Sequence, residues 1–142
     1  MTAPPPRRRD LGGAPPRPPT PSELLGFADE VMSAPSASLE GRWPVAAALL
    51  IRQALERVLV ELWRATEPGV EAANLTVQLL CLPLVIDESL ARRVAWTWSA
   101  LSRASHHHAY ELPPTASELS AWFDATEALI REVQRMTKAT PA

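Results

Sequence analysis

The segment Pro44-Val45-Ala46-Ala47-Ala48-Leu49-Leu50-Ile51-Arg52-Gln53-Ala54-Leu55-Glu56-Arg57-Val58-Leu59-Val60-Glu61-Leu62-Trp63 decides the fold class. Ala48, Ile51, Leu55, Val58, Leu59 and Leu62 recur three or four residues apart, which lays them along one apolar face of a helix. Arg52, Glu56 and Arg57 fall off that face, and Arg52 and Glu56 form an i,i+4 pair. Pro44 is tolerated only in a first turn, and Pro68-Gly69 is a stop. The spacing therefore predicts a long helix from near Arg42 to about Thr66.

The flanking segments follow the same period. On the N-terminal side, Thr20-Pro21-Ser22-Glu23 reads as a capping box with Pro at the first helical position. Leu24, Phe27, Ala28 and Val31 then mark a short leading helix that ends near Ser33. On the C-terminal side, Leu75, Leu79 and Leu82 predict a helix over about 71–82, ended by Pro83. Asp87 caps a fourth helix, expected to run to around 108–110, with Leu90, Val94, Trp98, Leu101, Ser105 and His108 facing inward. Leu112-Pro113-Pro114 breaks the chain, and Thr115-Ala116-Ser117-Glu118 is a second capping box. The last helix, to about residue 137, carries Leu119, Trp122, Phe123, Thr126, Leu129, Ile130 and Val133 on a wide apolar face. The best strand candidate, Leu84-Val85-Ile86, is too short to compete. The expected fold is all-α: an up-down four-helix bundle with a short extra N-terminal helix.

Composition bounds the rest. Eight of the fifteen prolines lie in the first 21 residues. Residues 1–19, Pro-, Arg- and Gly-rich, cannot bury enough apolar surface to offset ordering, so they read as a disordered tail ahead of a bundle over 20–139. Arg7, Arg8 and Arg9 read either as an RNA or partner anchor or, more plainly, as a solvated tail. The first 21 residues contribute +3 to a net charge of −2, leaving −5 on the body, which argues against a broad non-specific nucleic-acid binder. A local basic cleft stays open. The single cysteine, Cys81, excludes an intrachain disulfide and suits a reducing compartment; it is expected to pack as a small hydrophobe. With no apolar leader and no membrane-length apolar run, the expectation is a soluble, cytoplasmic protein. Thirteen arginines against one lysine, with abundant Ala and Pro, suggest a GC-rich bacterial source.

Chemistry concentrates at the end of the fourth helix. Residues 103–110 hold Arg103, all three histidines (His106, His107, His108) and the only tyrosine, Tyr110. At about 100° per residue, Arg92, Trp96, Ser99, Arg103, His106 or His107, and Tyr110 share a second, polar and aromatic face. Three consecutive helical histidines cannot face one ion, and no His pair stands at i,i+4, so neither a metal nor another cofactor is expected. No G-x-S-x-G elbow surrounds Ser102 or Ser105, and no dinucleotide loop or P-loop is present. Metal-free phosphodiester chemistry remains: a neutral imidazole to deprotonate an RNA 2′-hydroxyl, and a guanidinium to meet the charge developing on phosphate.

Arg103-x4-His108-x-Tyr110 resembles the R-x4-H-x-Y motif of HEPN-domain ribonucleases, the toxin half of HEPN/nucleotidyltransferase toxin–antitoxin pairs. The layout over roughly 40–137 is similar as well: a long helix, a helix ending in the Arg and His motif, a short loop and an amphipathic closing helix. The resemblance implies a homodimer lining one cleft with both motifs, and RNA cleavage without metal. Arg103 would stabilise the phosphate, His108 would act as acid and base, and Tyr110 would be the residue a nucleotidyltransferase-type antitoxin modifies with AMP. Ala104 departs from the polar residue many members have after the arginine. On a continuous helix His108 would lie about 140° from Arg103 while His107 shares its face, so His107 stands as the second candidate imidazole. Trp96, on the Arg103 face with Arg92, would stack on an RNA base or pack in a dimer. The alternative is a catalytically inactive HEPN-like dimerisation or interaction module.

Overall fold

The computed structural model describes residues 12–34, 41–106 and 112–140. Arg7, Arg8 and Arg9 fall outside them, as do His107, His108 and Tyr110. Among the described residues five α-helices follow one another: α1, Pro21–Ser33; α2, Trp43–Thr66; α3, Leu75–Cys81; α4, Glu88–Ser105; and α5, Ala116–Ala139. Single 3-10 turns at Val70–Ala72 and Leu82–Leu84 bracket α3. There is no strand among the described residues; the Leu84-Val85-Ile86 stretch leaves the second 3-10 turn, with Leu84 exposed and Ile86 buried. The fold is an all-α helical bundle.

Both capping boxes form. Thr20 Oγ1 accepts from Glu23 N–H at 3.1 Å while the Glu23 carboxylate accepts from Thr20 N–H, and Thr115 and Glu118 repeat the pattern. Arg17 adds a 2.8 Å ion pair to Glu23, and Arg57 of α2 donates to the Pro19 carbonyl at 3.1 Å. The last residues before α1 are thereby tied to the bundle, although 12–18 are exposed and carry no regular structure.

The α2 stripe is the spine of the core. Ala48, Ile51, Leu55, Val58, Leu59 and Leu62 are all buried, and α2 packs against α1, α4 and α5. The leading helix is short but shares this core through Leu24, Leu25 and Ala28. Phe27 does not: it is 47 % exposed, and the buried face extends instead to Leu25, which lies on the far side of the helix from Phe27. An i,i+1 pair of leucines widens the apolar stripe, and Leu25 lies on the side where Phe123 and Ile130 of α5 approach α1. Trp63 is fully buried with no partner for its Nε1 among the described residues, Trp122 is buried, and Trp43 and Trp98 are half-buried against the core. Cys81 packs half-buried on the same cluster.

Two boundaries differ from expectation. The third helix starts at Leu75 rather than near Glu71, because Asn74 caps it, accepting Val77 N–H at 3.0 Å. Glu71 instead accepts the Gly69 N–H at 2.7 Å, and buried Gln78 ties down the turn by donating to the Ala73 and Glu71 carbonyls. The fourth helix stops at Ser105, short of 108–110. Beyond Leu101 only the small Ala104 packs on the core among the described residues, which is little to hold another turn. Ser105 Oγ donates back to the Leu101 carbonyl at 2.8 Å, and His106 N–H closes onto the Arg103 carbonyl at 3.2 Å with a non-helical φ, ψ of −95°, 43°. Among the described residues no helix is long and apolar enough to cross a membrane.

Candidate functional site

Ala91, Val94, Thr97, Ala100 and Leu101 bury one face of α4. That fixes the opposite face outward. Arg92, Trp96, Ser99 and Arg103 are all exposed along it, Trp96 at 73 %, and His106 is exposed just past the helix end. From Arg92 to Arg103 the helix advances about 17 Å. The polar and aromatic face read from the periodicity is therefore the solvent face, and it lies among three open grooves.

The first groove, about 690 Å³, runs between α3 and α4 and is lined by Leu79, Leu80, Trp96, Trp98, Ser99 and Arg103. The second, about 610 Å³, lies between α4 and α5, lined among others by Arg92, Arg93, Trp96, Trp122 and Asp124. The third, about 360 Å³, lies where α4 ends and α5 begins, between Arg103, Pro113, Pro114, Glu118 and Trp122. Trp96 is thus a ridge shared by the first two, and Arg103 a corner shared by the first and third. The α3 side of the first groove is apolar: Leu80 is 75 % exposed there.

Beneath the face, α4 is braced against α2. The Arg52 guanidinium lies 5.0 Å from the centroid of the Trp98 ring, and its Nε donates to Glu56 Oε1 at 3.1 Å. Thr97 is buried and donates to the Arg93 carbonyl at 2.8 Å. The five ion pairs found among the described residues involve none of Arg92, Arg93, Arg103 or Asp124.

Of the residues predicted from sequence, Arg92, Trp96 and Arg103 share the exposed face, each in at least one groove with another of its members. His107, His108 and Tyr110 lie outside the described residues. The angular objection to pairing Arg103 with His108 held for a continuous helix, and α4 ends three residues before His108. Arg93 and Asp124 were not picked out from sequence. Arg93 directly follows Arg92, a doublet that brackets one edge of the face; Asp124 gives no local signal, because only the packing of α5 on α4 brings it to the groove. No three His, Cys, Asp or Glu side chains converge as a metal site among the described residues. Comparison of the chain with protein-family models, with curated proteins and with solved structures finds no match.

Proposed function

We propose that the chain is a HEPN-like, metal-independent endoribonuclease that works as a homodimer, the toxin of a bacterial toxin–antitoxin pair acting in the cytoplasm. The observation that supports this best is the setting of Arg103. Its guanidinium is exposed on the last turn of α4, at the corner of two grooves, three residues ahead of the first histidine of the run. A guanidinium there presents a planar fork to a phosphodiester that reaches the helix end. His108, or His107, takes the 2′-hydroxyl proton. The freed oxygen attacks the adjacent phosphorus, and the 5′-oxygen leaves with a proton from the acid form of an imidazole. The products are a 2′,3′-cyclic phosphate and a 5′-hydroxyl. Arg92 and Trp96, upstream on the same face, hold the strand through a phosphate and a stacked base. Tyr110 is the modification site by which a nucleotidyltransferase-type antitoxin silences the enzyme.

The test is cleavage of RNA by the purified chain in EDTA, repeated with Arg103→Ala and His108→Ala variants whose far-UV circular dichroism matches the parent. Cleavage that resists EDTA and disappears in both variants is expected. Cleavage that needs added metal, or that persists in both variants, refutes the assignment.

A second reading has its own support. Trp96 and Leu80, both about three-quarters exposed, line one groove, and exposed large apolar groups of this kind mark protein interfaces. On that reading the chain is a catalytically silent dimerisation or interaction module. RNA cleavage by the purified protein rules it out.

A further inference from the structure

The groove between α4 and α5 has a composition that phosphate binding alone does not require. Ser89, Arg92, Arg93 and Trp96 stand along one edge, spaced to share a helix face; Asp124 of α5 stands on the other. A site that only held a polyanion would gain from a third cation where Asp124 is. A carboxylate beside two arginines in an anion-attracting groove is a cost unless it accepts from the ligand. Asp124 is exposed, lines the groove and takes part in none of the ion pairs found among the described residues. Trp96, 73 % exposed, lines the same groove. The volume, about 610 Å³, falls within the range of small-molecule sites.

We infer that this groove is a base-selective subsite for single-stranded RNA, and that the base it takes is an unpaired guanine. The inference rests on the RNA-directed reading of α4 and adds a specificity to it. An ionised carboxylate only accepts, through two oxygens. Guanine presents two adjacent donors on its pairing edge, N1–H and the N2 amino group, which meet those oxygens together. Adenine offers N1 as an acceptor in the corresponding place and repels the carboxylate. Uracil flanks its one N–H with two carbonyls. The purine ring stacks on Trp96, Asp124 reads its edge, and Arg92 and Arg93 hold the flanking phosphates. The order along α4 then sets direction: the guanine lies on the Arg92 side of Trp96, and the strand runs on past Ser99 towards Arg103.

The experiment uses the full chain carrying Arg103→Ala, which removes cleavage and leaves this groove intact. Binding is read from the anisotropy of end-labelled short oligouridylates with one central guanosine, inosine or adenosine. The expected order is guanosine, inosine, adenosine, because inosine lacks only the N2 amino group, with guanosine favoured over adenosine by about tenfold. Asp124→Ala is expected to bring the three together without weakening the adenosine probe. Trp96→Ala is expected to weaken all three by about fivefold or more. Equal binding of guanosine and adenosine probes, a preference that survives Asp124→Ala, or no loss with Trp96→Ala overturns the subsite. If the parent chain still cleaves RNA in EDTA, such a failure leaves the nuclease assignment standing. A guanosine preference in a chain that cleaves nothing leaves the subsite and sinks the nuclease.

Discussion

Replacing Arg52 by Ala should loosen the brace that holds α4 in place, and the size of the effect follows from its geometry. The guanidinium lies 5.0 Å from the Trp98 centroid, inside the range for cation–π attraction, and the Arg52 side chain is 27 % exposed. Such contacts contribute about 0.5–1 kcal/mol at exposed sites and about 2 kcal/mol when desolvated, so a partly shielded one contributes roughly 1 kcal/mol. The Glu56 pair adds about 0.3–0.5 kcal/mol. Together these set the expected loss for Arg52→Ala at about 1–2 kcal/mol. Urea unfolding of the parent, Arg52→Ala, Trp98→Leu and the double variant forms a cycle in which Leu keeps apolar bulk under Arg52. The expected coupling between the two residues is about 0.5–1.5 kcal/mol. The Glu56 share should fade near 1 M salt, where the screening length is about 3 Å, while the Trp98 share persists. A coupling energy within about 0.3 kcal/mol of zero would refute the brace, since that is the additivity expected of independent sites.

Two glycines should respond in opposite directions. Gly26 is an exposed interior residue of α1 where an added Cβ meets nothing within 4 Å, so Gly26→Ala should raise stability by about 0.5–1 kcal/mol. Gly69 has equally open space but a φ of +108°, so Gly69→Ala should lower stability by about 1–2 kcal/mol. Thermal midpoints of both variants check the pair; a shift of the same sign in each refutes it. Acid should weaken the N-terminal cap. Glu23 is held below its usual value near 4.5, first by the Arg17 hydrogen bond and then by the Thr20 N–H. A lowered folded-state pKa adds stability that is complete above the unfolded value, about 4.3, and is lost as pH falls through the folded one. The stability difference between the parent and Glu23→Gln should therefore be constant at neutral pH and shrink towards zero below about pH 4. A difference that grows on acidification contradicts the assignment.

Helix interiors were legible in the sequence because burial imposes a period: every residue of the α2 stripe is buried, and both capping boxes form as their spacing requires. The errors lie where periodicity is silent. Leu24-Leu25 left either side of the stripe open, and tertiary packing took the Leu25 side, leaving Phe27 outside. Asn74 caps α3 through a local bond that the leucine spacing does not register. The end of α4 was misplaced because histidines and serines tolerate a helix without stabilising one. The solvent face of Arg92, Trp96 and Arg103 followed from the wheel once the apolar stripe was known. Asp124 did not, because Trp96 and Asp124 are 28 positions apart and come to one groove through tertiary packing alone.

The position of Trp96 also gives the molecule a built-in optical reporter. Five indoles emit together, but their surroundings sort them: Trp63 is sealed from water, Trp122 is buried apart from the edge it gives to two grooves, Trp43 and Trp98 are partly shielded, and Trp96 stands out on the ridge. Its emission should sit at the red edge of the spectrum and should be the first to fall to iodide, an ion that cannot enter the core. Anything that settles into either neighbouring groove must cover that ring. The iodide-accessible fraction of the intrinsic light therefore reports occupancy of both grooves without a label, and the light from Trp63 serves as an internal reference for folding in the same sample.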